Sequence, residues 1–516
     1  MKSTLYRLAL LVSIICVAGC ASLPPQAGRP VTHALTNTDD TRLGTQLSPS
    51  NQQHPGDTAF HLLITGVDAF VARIVLAETA DRSVDLQYYI WHDDETGQGL
   101  AASLLAAADR GVRVRLVLDD LGTSADDEVL LALNSHPNIE IRLFNPVAAR
   151  SFKKLGTLFE FSRVNRRMHN KAMIADNQAA ILGGRNIGDE YFGASSSVAF
   201  SDLDVLLHGA VVSDISNEFD LFWNSDEVYT VESLVGHKAP AGALDAYRQH
   251  LAASVAAREG GAYADEVKTR LKDALKSDDL SFSWGHATLL FDDPTKITRS
   301  PNDIQGHLLT KFNALHVEPQ HDMLVISPYF VPGDEGMAWM KGLEARGVDV
   351  TVLTNSLAAT DVAAVHSGYS RYRMEMLEAG VHLFELKPVA DSETKKKMLF
   401  GSSKASLHAK TYVFDRSSIF IGSMNLDPRS LTLNTEIGVY CEDPKIASQV
   451  VSDVTPQLNT LAWKLERRTD ASGDSKIVWI ENGPGGPQEL TSDPDVSSFR
   501  RMEIWLLGLL PIESEL

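Results

Sequence analysis

A chain of 516 residues, 44% of them hydrophobic, is long enough to fill large cores and divides into roughly two to four domains. Its formal net charge of −20 repels polyphosphate at long range, which counts against general nucleic-acid binding. Only Cys16, Cys20 and Cys441 occur, excluding a disulfide framework and a thiolate metal site.

The first element in chain order is an export signal. Lys2 and Arg7 flank the apolar run LALLVSIICVAG, which is too short to span a bilayer as a stable helix. It ends in VAGC at 17–20, which resembles a bacterial lipobox. That resemblance implies removal of residues 1–19, lipidation of Cys20 and a mature charge of −22, since Lys2 and Arg7 are lost from −20. A plain secretory signal with a chance cysteine is the alternative. Several acyl chains on one cysteine anchor stably where one does not. Ala21 after the cysteine, by the sorting rule of enteric lipoproteins, points to a periplasmic protein held at the outer membrane. Past residue 20 no apolar run reaches ~18 residues, so the body is expected to be soluble and tethered.

Residues 20–57, rich in Pro, Thr, Asn, Asp and Gln without apolar periodicity, predict a flexible tether, with folded structure starting near Phe60. SVDLQYYIW (83–91) predicts a strand, GLAASLLAAADRG a helix and VRVRLVLDD (112–120) a second strand. Such a β-α-β unit implies parallel strands. The order recurs as MLVISPYFV (323–331), GMAWMKGLEARG and VDVTVLTN (348–355). Between the copies, AYRQHLAASVAAREG and its neighbours predict a helical linker or insertion. The closing RRMEIWLLGLLPIESEL is apolar with arginines at its start, and reads either as a docked element of the core or as a surface that meets a membrane.

A second pair of copies carries the chemistry. MHNKAMIADNQAAILGGRN (168–186) and LHAKTYVFDRSSIFIGSMN (407–425) match with His169 and His408, Lys171 and Lys410, Asp176 and Asp415, Gly183 and Gly422, and Asn186 and Asn425 all at one offset. Duplication at this length scale means repeated domains. Each copy reads as a hairpin: TYVF is β-rich, DN and DRSS are turn-like, and AAIL and IFI return apolar. Alternating side chains put His and Lys on one face, roughly 6–7 Å apart. Lysine offers a point charge to phosphate oxygens, asparagine a neutral donor, and glycine close backbone approach. One cluster can only bind a small anion. Two that face each other can transfer phosphoryl groups, one imidazole attacking phosphorus while the other protonates the departing oxygen.

The signature H-x-K-x4-D-x6-G-(G/S)-x-N is that of the phospholipase D superfamily, which both copies resemble. The lipobox start with LQYYIWHDD, RRMHNK, SPYFVP, ASLHAKTYVFD and LLPIESEL is similar to the cardiolipin synthase C type of bacterial phosphatidyltransferase. The resemblance implies an α/β fold of two tandem phospholipase D-like domains, each a mixed sheet flanked by helices, with pseudo-two-fold symmetry and the active site at their interface. The expected division is 1–19 signal, 20–57 tether, 58–230 first domain, 231–285 linker, 286–470 second domain and 471–516 tail.

It further implies ping-pong transfer through a phosphohistidine, without metal or cofactor. His169 is the expected nucleophile and His408 the acid and then base. Lys171, Lys410, Asn186 and Asn425 would hold the phosphate oxygens. Asp176 and Asp415 belong to the catalytic motif and are read as supports of hairpin and lysines rather than as proton carriers. Asp202 in FSDLDV and Glu436 in LNTEIGV are the candidate carboxylates for the far imidazole nitrogens. The expected partners are phospholipids and a membrane surface met through lipidated Cys20, with no nucleic acid. The alternatives are hydrolysis to phosphatidic acid at the same site and a non-catalytic phosphate- or lipid-binding lipoprotein.

Overall fold

The structure is a computed structural model and describes residues 22–26, 28–195, 199–274, 280–388, 405–483, 485–510 and 513–516. The lipidation candidate Cys20 lies outside the described residues.

The N-terminal half contributes β1 (Thr58–Leu63), β2 (Ser83–Tyr88), β3 (Arg113–Asp119), β4 (Ile139–Phe144), β5 (Ala172–Ala175), β6 (Ala179–Gly183), β7 (Ala199–Ser201), β8 (Asp204–Gly209) and β9 (Val228–Thr230). All but β7 form a mixed sheet in the order β9-β4-β3-β2-β5-β6-β8-β1. The C-terminal half contributes β10 (Ser283–Phe291), β11 (Asp322–Ile326), β12 (Asp349–Asn355), β13 (His382–Leu386), β14 (Ala405–Leu407), β15 (Lys410–Phe414), β16 (Ser418–Gly422), β17 (Ile437–Glu442), β18 (Ala462–Thr469), β19 (Ser475–Gly483) and β20 (Gly486–Leu490). Their order, β10-β17-β16-β15-β11-β12-β13-β18-β19-β20, repeats that of the first half read from β1 to β9, with β19 and β20 added beyond it. Strand β10 also pairs with β1, placing Gly285 opposite Thr58, and so joins the two sheets.

The β-α-β units are parallel as expected: Leu86 lies opposite Leu116, and Val325 opposite Val352. Their crossover helices, Glu95–Asp109 and Gly333–Ala345, cover the outer faces with Leu100 and Leu104 in one half and Met337, Met340 and Leu343 in the other. Asp94 starts the first of these by accepting the Gly97 N–H. The inner faces meet in one shared core. Phe219 and Trp223 of helix Val211–Asn224 and Val450 and Val454 of helix Pro444–Leu461 pack there with Ile174, Leu182, Val413 and Ile421.

The structure corrects the tether. Residues 42–53 form a helix that Thr41 caps, and residues 29–34 are bound to the first sheet. Buried Arg115 and Arg142 donate to the carbonyls of Thr32 (3.0 Å) and Pro30 (2.8 Å), while Asp220 accepts the Ala34 N–H (2.8 Å). Guanidiniums removed from water need acceptors, and this stretch supplies its backbone rather than apolar side chains. The tail is corrected too. Ser475–Gly483 and Gly486–Leu490, inside the expected tail, are the two strands that extend the second sheet through β18. Helices Ala243–Arg258 and Ala262–Ala274 of the linker pack on the first domain, where Tyr247 and Leu251 join the outer core.

Candidate active site

Both motifs fold back through a tight turn: Asp176 and Asn177 have φ of 51° and 52°, Asp415 and Arg416 of 50° and 51°. Two successive left-handed residues are the geometry of a two-residue hairpin turn. From it the Asp176 carboxylate accepts the N–H groups of Asp81 (2.9 Å), Arg82 (2.7 Å) and Ser83 (2.9 Å) at the entry of β2. Asp415 accepts those of Gln320 (2.8 Å), His321 (2.7 Å) and Asp322 (3.0 Å) at the entry of β11. The motif aspartates thus fasten hairpin to sheet, at the opposite end from the histidines. The support of the hairpin is as expected, whereas the expected support of the lysines is corrected: the carboxylates bond these backbone amides instead.

The histidines do not sit within strands. His169 and Lys171 occupy an extended run before β5, and His408 stands between β14 and β15, which Lys410 begins. Each run pairs with the other half. His169 N–H donates to the Thr435 carbonyl (2.8 Å) and Thr435 N–H to that of Arg167 (2.9 Å), while His408 N–H donates to Ser201 (2.8 Å) beside the parallel pair of β7 and β14. Lys171 Nζ donates to the His169 carbonyl (2.5 Å), and Lys410 Nζ does the same to His408.

The carboxylates follow the same crossing. Glu436 Oε2 lies 2.8 Å from His169 Nδ1, and Asp202 Oδ2 lies 2.6 Å from His408 Nδ1. Each orienting carboxylate therefore serves the imidazole of the opposite half. The Ser423 carbonyl is also 3.1 Å from His169 Nδ1, and because a carbonyl only accepts, the ring proton is assigned to Nδ1 and the lone pair to Nε2. Gly184 leaves room for Asp202, since a Cβ there would stand 2.1 Å from its Oδ1.

Electrostatics tie the two halves into one site. Burial, then Lys171 and Lys410, holds His169 well below the usual imidazole value. Burial and Lys410, with Lys171 further down, bring His408 to about 4. Burial lowers Lys171 to about 7 and Lys410 to about 8. The carboxylates diverge: burial lifts Glu436 to about 7, whereas Asp202, against the pull of burial, is lowered to about 2 by His408, Lys410 and Arg185. Both imidazoles are neutral near pH 7 in this state, facing two partly charged ammonium groups.

The asparagines are placed less symmetrically. Asn186 Oδ1 accepts the Ile90 N–H (3.1 Å) and its Nδ2 donates to the Tyr191 hydroxyl (3.0 Å). Asn425 Nδ2 makes a long bond to Ser430 Oγ (3.4 Å), and its buried Oδ1 has no partner. Among the described residues, His92, Asp94 and Glu190 form the one group of potential metal ligands, their atoms within 4.8 Å of one another, and it includes neither motif.

Several site residues escaped the sequence reading. Tyr89 meets the His169 ring edge-on (5.2 Å), and Tyr191 and Phe200 flank His408 (5.3 and 5.1 Å). Asp119, at the end of β3, accepts from Arg167 Nε (2.9 Å) and Met168 N–H (3.0 Å), fixing the run into His169. Asn355, at the end of β12, holds Leu407 N–H (2.8 Å) and carbonyl (3.0 Å) before His408. The signal for this last pair was present: a polar residue ends the third strand of each half.

Comparison with known proteins accords with this geometry. Residues 74–223 and 317–455 match the family described as cardiolipin synthase, PLD-like domain. Cardiolipin synthase C of Escherichia coli (strain K12) is 40% identical over 481 residues, 92% of this chain and 99% of that protein. The chain belongs to the phospholipase D-like cardiolipin synthase family. A more distant member, cardiolipin synthase A of Pseudomonas syringae pv. syringae (strain B728a), is 27% identical and aligns over 77% of this chain and 68% of that protein. In fold, this cardiolipin synthase family chain is similar to a phosphatidylserine synthase from Haemophilus influenzae Rd KW20, with a TM-score of 0.54 at 15% identity, covering 82% of this chain and 92% of that one.

Proposed function

We propose that the protein is a phosphatidyltransferase that makes cardiolipin. His169 Nε2 attacks the phosphorus of phosphatidylglycerol or phosphatidylethanolamine, forming a P–N bond as the P–O bond to the headgroup breaks. His408, protonated on Nε2 when the anionic substrate is bound, gives its proton to the departing alkoxide, and glycerol or ethanolamine leaves. A glycerol hydroxyl of phosphatidylglycerol then gives its proton to His408 and attacks phosphorus, releasing His169 and completing cardiolipin. Lys171 and Lys410 carry the charge that offsets the phosphate oxygens, with Asn186 and Asn425 as further donors.

The observation that carries this reading is the crossed pairing, in which two buried imidazoles, each oriented at Nδ1 by the other half, share one pair of lysines. The divergent carboxylates support this division of roles. Asp202 stays ionised and favours the imidazolium form of His408, as an acid needs. Glu436, at about 7, demands less charge on His169 and leaves it a nucleophile.

Lipidation of Cys20 in the periplasm, with the outer membrane favoured, would confine enzyme and lipid to one surface and raise their effective concentration. The full chain incubated with mixed phosphatidylglycerol and phosphatidylethanolamine vesicles should yield cardiolipin by mass spectrometry. Phosphatidic acid alone would mean that water is the acceptor, and no turnover would reject the proposal.

A further inference from the structure

The C-terminal helix Ser498–Gly508 is amphipathic the wrong way round for a docked element. Phe499, Met502, Trp505, Leu506 and Leu509 recur at helical spacing and all face solvent, with Phe499 72%, Trp505 64% and Leu509 65% exposed. The inward face carries Ile504 alone as a buried residue, and Trp505 and Leu509 edge a cavity of about 420 Å³ that the helix shares with His366, Arg373 and Asp493. A second apolar patch stands on the short helices Lys153–Phe159 and Phe161–Val164, where Phe152, Leu158, Phe159 and Phe161 are exposed. Of the seventeen large hydrophobic side chains exposed among the described residues, ten fall in 152–161 and 499–510. So strong a concentration is not the scattered apolar exposure of an ordinary surface.

The two patches belong to one side of the molecule. After the C-terminal helix, Glu515 accepts from Asn165 Nδ2 (2.8 Å), and Arg429 donates both to the Asn165 carbonyl (2.9 Å) and to that of Glu515 (2.8 Å). Asn165 ends the helix Phe161–Val164 and stands four residues before His169, so the surface adjoins the segment that carries that histidine. The start of the described chain arrives nearby. Gln26 and Arg29 donate to the carbonyls of Asp226 (2.5 Å) and Asn224 (2.9 Å). Asn145, bonded to the Glu227 carbonyl (2.8 Å), in turn holds the carbonyls of Arg163 (3.0 Å) and Arg166 (2.7 Å). Cys20 is six residues before Gln26, at most ~20 Å of extended chain, and follows the apolar leader.

We propose that this surface, the outward stripe of the C-terminal helix with the patch on the two short helices, lies in the interface of a phospholipid bilayer and brings the active-site entrance to its substrate. It rests on the reading of the substrate as phospholipid. The charges argue for insertion of apolar side chains rather than electrostatic adhesion: Arg500 is paired with Glu503 (2.8 Å), Arg371 with Glu513 (3.0 Å), and the whole chain is acidic at −20. With these two arginines paired and the body acidic, an anionic bilayer has little to attract, so docking should be nearly independent of salt.

The test uses the full chain with phosphatidylglycerol and phosphatidylethanolamine vesicles whose acyl chains are brominated. The expected result is quenching of Trp505 emission, read as the difference from Trp505→Phe and unchanged between low and high salt. The triple change Met502→Glu, Leu506→Glu, Leu509→Glu, made on exposed positions outside the catalytic machinery, should reduce kcat/KM on vesicles at least tenfold. Turnover of a soluble short-chain phospholipid should stay unchanged. Absence of Trp505 quenching overturns the proposal, as does equal loss on both substrates, or a stripe covered by a second copy, seen as a dimer that the triple change dissociates. Failure of the parent chain to turn over either lipid strikes the functional reading alone and leaves the quenching result standing.

Discussion

Asp202 and Glu436 occupy matching places behind the two histidines yet hold their protons differently, at about 2 and about 7. If His408 works as the acid, the fully ionised partner matters more. Asp202→Asn should cost kcat on the order of 10⁴-fold, as loss of a charged imidazole partner does elsewhere, and Glu436→Gln several-fold less, because Ser423 still fixes the His169 tautomer. Steady-state turnover of both variants checks the order, and an equal or reversed loss would contradict the role assignment. The lysines give a pH dependence. Both are held below 10.5, at about 7 and 8, so the empty site loses positive charge as pH rises through that window. Affinity for sulfate, whose own charge is constant there, should weaken at least tenfold between pH 6 and pH 9 by calorimetry, with proton uptake on binding, whereas a flat profile would show that the lysines do not meet the anion. At this scale the motif residues were legible because their spacing repeats. Tyr89, Tyr191 and Phe200 were not, since an aromatic near a strand reads first as core.

The hairpins show what the motif aspartates do. Three backbone N–H groups converge on Asp176, and an apolar residue there would leave them without an acceptor. Asp176→Ala should lower unfolding free energy by about 1–3 kcal/mol in denaturant titration. The folded variant should keep kcat within a few-fold, and a loss as deep as that of His169→Ala would return Asp176 to the chemistry. Element by element, the β-α-β units and hairpins were readable from period and turn residues. The segment before β1 was not, because its order comes from backbone carbonyls bonded to buried Arg115 and Arg142. Nor were β19 and β20, where the strand-forming IVWI is short and followed by GPGG. The register of His169 was also missed by a few residues, since pairing with Thr435 of the other half overrides the local hairpin.

Across the whole molecule, duplication is legible in the sequence but the exchange between copies is not. No pattern along one strand reveals that Asp202 serves His408 and Glu436 serves His169. The shared core has a thermodynamic consequence. Phe219, Trp223, Val450 and Val454 lose their packing partners if either half opens, so the two domains should unfold in a single calorimetric transition. Two resolved transitions would show that the halves are independent and the crossed site loosely held.

The central claim is that His169 carries the phosphatidyl group while His408 moves the proton, and it is tested most directly by trapping the intermediate. Phosphatidyl-p-nitrophenol has a leaving group that departs without a proton, so His408→Ala should still form the adduct but lack the base to resolve it. Mass spectrometry of the digested protein should find the phosphatidyl mass on the peptide containing His169, and none in the chain that also carries His169→Ala. An adduct on another residue, or none at all, would contradict the account.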